Sequence, residues 1–230
     1  MSEPRVLGAD VCSKGWVGVA IGPGNTAAYF GLTIRELLSV ASADGEIDVV
    51  AVDIPIGLAD STHRQGDELA RRAVGPRWQS VFMTPVRDAL LCDDHLSAVL
   101  TNRRLVGEGV SRQAYGLRTK ILEVDVWIKD RTPEVIEAHP ELCFATMAGR
   151  PLTTRKKTWA GAHQRRQLLE QAGIRLPDEL GLAGQMAAVD DVLDAAATAW
   201  TARRFASGQA RAMPATPEVF SDGIACAIWA

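Results

Sequence analysis

Four aspartates stand where a carboxylate is costly to keep unless it is used. Asp10 closes the apolar run Arg5–Val11, ahead of the turn Cys12-Ser-Lys-Gly15, and Asp53 is embedded in Ile47–Ile54 (IDVVAVDI), just before Pro55 and Gly57. Asp191 and Asp194 are three apart in DDVLDAAATAW, so a helix puts them on one face. The small residues Ala195, Ala197 and Thr198 let that helix lie tightly on a sheet and carry its acids to the strand ends. A buried carboxylate needs a partner or a metal, and four in contact cannot all ionise without a cation. Oxygen ligands with no His/Cys set point to Mg²⁺ or Mn²⁺. Two such ions can clamp the attacking and leaving oxygens of a phosphodiester. Plainer roles compete: Asp10 as a turn residue, and Asp190 and Asp191 as acids favoured at a helix N-terminus. Capping does not account for Asp194, one turn further in.

Two other groups of residues bear on the same chemistry. Glu137, His139 and Glu141, in EAHPE, end a short strand and are read as supporting residues, with proton transfer or metal ligation as the alternative to fixing the strand end. From Leu142 to Leu169 there is no acidic residue, while Arg150, Arg155, Lys156, Lys157, Arg165 and Arg166 fall there. Solvated faces normally mix signs. A one-sign run in an acidic protein suits a phosphate backbone or phosphorylated ligand. Lys14, Arg155, Lys156, Lys157 and Arg165 are therefore the expected phosphate contacts.

The elements that must position these residues follow from periodicity and turn signals. Arg5–Val11, Gly15–Ile21 and Thr26–Leu32, joined by tight turns, form an antiparallel meander. Thr33–Ala43 is a helix with Thr33 as N-cap and Glu36 in a capping box, and Ile47–Ile54 is a buried strand. Further helices are expected at Thr62–Val74, Asp94–Leu105, Arg112–Lys129, Glu141–Ala148, Thr158–Ala172 and Val189–Ser207. Arg77–Thr84 reads as irregular or extended, and Leu176–Gly184 as a loop with a short turn. Strands are expected at Pro133–His139 and, after the Pro214/Pro217 connection, at Gly223–Trp229. The class is α/β.

The 230 residues are 47% apolar and 23% charged, which allows a sizeable core. The net charge of −3 does not favour nucleic acid over the whole molecule, so such a partner needs a local basic patch. Cys12, Cys92, Cys143 and Cys226 are widely spaced, as in reduced structural thiols. No signal peptide and no membrane-length apolar run is present, so the expected location is cytoplasmic, without a membrane. Composition leaves a homo-oligomer open.

The segments GADVCSKGWVGVA, VVAVDIPIGL, ARRAVGPRWQSVFMTPVR, VIEAHPELCFATMAGRPLTTRKKTWAGAHQRRQLL and DDVLDAAATAWTARR, in that order, resemble the prokaryotic family known as domain of unknown function 429. That family is described as predicted RNase-H-like nucleases. More distantly the chain is similar to Holliday-junction resolvases, which share the first-strand Asp, an acid at the fourth strand and a final D-x-x-D-A helix. The resemblance implies one RNase-H-like domain over 1–230: a five-stranded mixed sheet, helices on both faces, and a mainly helical insertion at about 58–131 over the active face. It implies a metal-dependent nuclease with DNA or RNA as partner. Asp53 departs from the resolvase pattern by being one methylene shorter than their Glu.

Two other readings of the same residues remain. An actin-like phosphotransferase also opens on an Asp-bearing strand and glycine turn, but needs a duplicated domain and a second phosphate motif, for which Asp222-Gly223 is the candidate. A non-catalytic nucleic-acid- or nucleotide-binding module with a degenerate site is the other.

Overall fold

The computed structural model describes residues 3–130 and 133–230. Three strands open the chain as a meander: β1 (Val6–Cys12), β2 (Gly15–Gly22) and β3 (Asn25–Gly31). Helix α1 (Ile34–Ser42) follows, its N-cap Thr33 hydroxyl accepting from the Glu36 amide while the Glu36 carboxylate accepts from the Leu32 amide. The Thr33 half is the cap expected from T-x-x-E, whereas the Glu36 carboxylate reaches one residue further back than a capping box requires, to Leu32 instead of the Thr33 amide. Strand β4 (Val49–Val52) then pairs in parallel with β1.

Residues 58–130 carry α2 (Gln65–Ala73), a 3₁₀ helix at Gly75–Ser80, α3 (Arg87–Leu90), α4 (His95–Val106), α5 (Arg112–Gly116), α6 (Arg118–Trp127) and a 3₁₀ turn at Ile128–Asp130. The insertion's expected last residue, Arg131, lies outside the described residues. The single helix expected over Arg112–Lys129 is broken at Leu117, directly after Gly116, a residue that weakens helix continuity. The remaining elements are β5 (Glu134–Ala138), α7 (Pro140–Ala148), α8 (Trp159–Gln171), α9 (Gly181–Met186), α10 (Val189–Ala206), β6 (Ala212–Val219) and β7 (Ala225–Trp229). Helix α9 occupies part of the stretch read as a loop.

The sheet has seven strands in the order β3-β2-β1-β4-β5-β7-β6, where five were expected. Strand β6 accounts for part of the difference. Its Pro214 and Pro217 read as a connection, yet β6 lies at the sheet edge, where a missing N–H is tolerated. Its pairing with β7 is irregular between Met213 and Glu218.

Side-chain alternation splits the core into two layers. Val6 of β1 and Val49 and Ala51 of β4 pack toward α7, α8 and α10. Leu7, Ala9, Val50 and Val52 pack toward α1 and α6, with Ile34, Leu37, Ile121 and Val124. A period of two therefore places Asp10 with Val6 and Gly8, and Asp53 with Val49 and Ala51, on the α10 face. Gly8 is what lets α10 approach: a Cβ there would fall 2.1 Å from the Ala199 nitrogen and 2.2 Å from the Ala195 oxygen. Among the described residues no helix is long and apolar enough to cross a membrane.

Candidate active site

Ala9 pairs with Val52 across the parallel ladder, and the Asp53 amide donates to the Ala9 carbonyl at 3.0 Å. Asp10 and Asp53 thus follow one another's register on strands about 4.8 Å apart. Helix α10, seated on Gly8, brings Asp191 and Asp194 to the same end. All four aspartates line one cavity of about 400 Å³ with His139, Glu141 and Lys156. The far wall comes from the 58–130 stretch, through Arg77, Gln79, Ser80, Phe82, Gln113 and Leu117.

Lys156 is the cation that answers these acids. Its Nζ donates to Asp194 Oδ2 at 2.5 Å and lies 3.7 Å from Asp190 Oδ2. Burial alone would discharge it, but Asp194, then Asp10 and Asp53, outweigh that and hold its pKa above the ordinary value. Its charge does not suffice for the acids. Burial, joined by repulsion from Asp53 and Asp194, raises Asp10 well above the usual range. Burial also raises Asp53, against the pull of His139 and Lys156. Asp194 is pushed up to about 6 by burial, with Lys156 opposing and Asp53 and Glu141 adding. Asp191 is raised by burial and by Asp190, although its Oδ2 accepts from the Ala188 amide at 3.3 Å. Asp191 therefore caps α10 and faces the cavity at once. Among the described residues, no three His, Cys, Asp or Glu side chains are gathered closely enough to enclose an ion as they stand.

A family described as "Protein of unknown function (DUF429)" matches residues 8–219. The chain belongs to this family. No curated protein and no solved structure matches it.

In this DUF429 chain the other candidate residues separate into distinct places. Glu137 does not line the cavity. It accepts from the Ile56 amide at 2.7 Å and from Arg64 at 2.6 Å, bracing the segment that follows Asp53. Burial pushes its pKa up to about 7 despite Arg64. His139 lines the cavity; its Nε2 is 3.3 Å from the Ser80 carbonyl oxygen, and its buried Nδ1 has no hydrogen-bond partner. Glu141 Oε1 accepts from Arg165 at 2.6 Å and lies 3.6 Å from Arg77, while its buried Oε2 is unpartnered.

The expected phosphate contacts do not form one surface. Arg165 is fully buried, between Glu141 and the Gly161 carbonyl, so its guanidinium is spent on packing α8. Lys156 faces the acids. Lys157 is 80% exposed and 3.9 Å from Asp190, Arg155 is exposed, and Lys14 reaches the Met186 sulfur at 3.8 Å. Asp222 is engaged with Arg87 at 2.7 Å and accepts from the Leu58 amide, so it is tied to internal structure. The 58–131 insertion was expected over the active face, but Gly8 and the individual residues by which that stretch lines the cavity were not singled out from sequence. The glycine had a signal in its place two residues before Asp10, on the same strand face; the wall residues had none.

Proposed function

We propose that the protein is a divalent-metal-dependent phosphodiesterase of RNase-H-like type, acting on nucleic acid. The observation that carries this is the convergence of Asp10, Asp53, Asp191 and Asp194, from two parallel strands and one helix, on a single cavity. The meander, the crossover through α1 and the parallel β4 and β5 support the RNase-H-like part, with helices on both faces. The donor set fits Mg²⁺ or Mn²⁺ in chemistry: it is all oxygen, and one lysine leaves negative charge in excess. Asp10, Asp53, Asp191 and Asp194 would hold the ion, with Asp194 giving up Lys156 to do so. When bound, the metal supplies Lewis-acid polarisation of a phosphoryl oxygen and a more acidic water.

The chain's own residues do the rest. Lys156, released from Asp194, offers its ammonium to a phosphate oxygen beside the acids. His139 lines the same cavity, with Nε2 at the Ser80 carbonyl, and an imidazole there is suited to moving a proton. Arg77, Gln79 and Ser80 of the 3₁₀ helix Gly75–Ser80 wall off one side.

The test is cleavage of labelled single- and double-stranded DNA and RNA with Mg²⁺, Mn²⁺ or EDTA, beside Asp10→Asn. Metal-dependent cleavage lost in Asp10→Asn is expected. Absence of cleavage on every substrate, or equal cleavage by the variant, removes the reading. The Lys156–Asp194 bond favours a second reading, a nucleic-acid-binding module whose site is closed by lysine. It predicts binding without cleavage and no heat of metal binding by calorimetry.

A further inference from the structure

Trp159 begins α8 and is 88% exposed, more than any other large apolar side chain among the described residues. Thr158 caps the helix through its hydroxyl, at 3.1 Å from the Gly161 amide, and the indole that follows is left largely in solvent. Beside it is a second cavity, of about 340 Å³, lined by Trp159, His163 and Arg166 of α8, by Leu180, and by Val189 and Val192 of α10. Apolar walls with a planar ring and a few polar side chains are what a flat heterocycle needs.

Its position matters as much as its chemistry. Lys156, three residues before Trp159, and Asp191, between Val189 and Val192, line the acid cavity instead. The two cavities therefore flank the first turn of α10 and the chain from 156 to 159. Between them stands exposed Lys157, within 3.9 Å of Asp190. Arg166 is shared with Glu170 at 3.4 Å and Asp178 at 3.7 Å, but these pairs are solvent-exposed and weak. Its guanidinium is available to a phosphate or a base edge.

We propose that this second cavity is a nucleobase site, in which Trp159 stacks on an unpaired base of a strand whose phosphate lies at the acid cavity. The substrate class is then single-stranded nucleic acid, or a single-stranded stretch within a duplex. The reason is steric: paired bases hide their faces in the stack, so a surface indole can cover only a base that is unpaired. Lys157 carries the backbone from one cavity to the other. The proposal rests on the nucleic-acid reading above and adds to it a strandedness and a residue.

Binding is measured by fluorescence anisotropy with Ca²⁺ in place of Mg²⁺ or Mn²⁺, the oligonucleotides checked intact afterwards, with labelled oligo-dT, oligo-U, a blunt duplex of equal length, and an abasic single strand. The wild type is expected to bind the single strands at least about tenfold tighter than the duplex. Trp159→Ala should lose roughly 5- to 150-fold on them, the range of one base–aromatic stack, and Trp159→Phe should keep most of the affinity. On the abasic strand wild type and Trp159→Ala should not differ. The side chain is exposed, so the variants should melt with the wild type. Equal binding of single strand and duplex, or unchanged affinity in Trp159→Ala, overturns the proposal. A wild type that binds through Trp159 but never cleaves leaves this site standing and removes the nuclease reading. One that cleaves with Trp159→Ala unaltered does the reverse. The oligo-dT and oligo-U arms separate DNA from RNA.

Discussion

Replacing Lys156 by alanine should expose how much negative charge the site holds. The ammonium makes its 2.5 Å bond to Asp194, whose side chain is 3% exposed, while that of Lys156 is 33% exposed. Breaking a buried pair from one side costs about 3–5 kcal/mol. The part-exposed lysine and water entering the cavity reduce this to about 1–3 kcal/mol. In a chain of this size each kcal/mol moves the melting temperature by about 2–4 °C. The sign with pH follows from Asp194, whose native pKa of about 6 stands above its ordinary 3.8. Between those values the native state binds more protons than the unfolded chain, so stability falls as pH rises through the window and stays low above it. Removing Lys156 removes the opposing charge, so the upper edge of the window moves up. Thermal melts should therefore show a larger deficit for Lys156→Ala at about pH 8 than at about pH 5. Mn²⁺ should restore the variant at pH 8 more than it raises the wild type. A deficit that is equal at both pH values and indifferent to Mn²⁺ would refute the claim that these carboxylates repel one another.

Gly8→Ala should cost about 3 kcal/mol or more by pushing α10 off β1, and should abolish any activity, as checked by chemical denaturation and the cleavage assay. A loss below about 1 kcal/mol would mean the helix yields easily. Glu141→Ala leaves buried Arg165 without its 2.6 Å partner and should destabilise by about 3–5 kcal/mol, whereas Arg165→Met together with Glu141→Leu should recover much of it in urea titrations. Burial pushes the Cys143 and Cys226 thiols up to about 12, so a disulfide reagent at about pH 8 should label half-buried Cys92 in the native protein and reach those two only on unfolding.

Local pattern carried much of this protein. The apolar run Arg5–Val11 and the β-branched run Ile47–Ile54, together with the turns around them, were enough to specify two strands that each carry an aspartate at the end, Asp10 and Asp53. Thr33 and Glu36 specified the start of α1, and the three-residue spacing of Asp191 and Asp194 specified their common helix face. These depend on covalent spacing alone, since a period of 2 or 3.6 fixes which side chains share a side. The fate of the charges was not legible in the same way. Within one basic stretch, Arg165 is buried against Glu141, Lys156 turns onto Asp194 across 38 residues of sequence, and Lys157 stays in water. Their types and spacing do not separate them, because a cation's partner depends on which segment folds over it. Strand β6 shows the same division: two prolines argue against a strand locally, and only its place at the sheet edge, where no neighbour asks for their N–H, makes them tolerable.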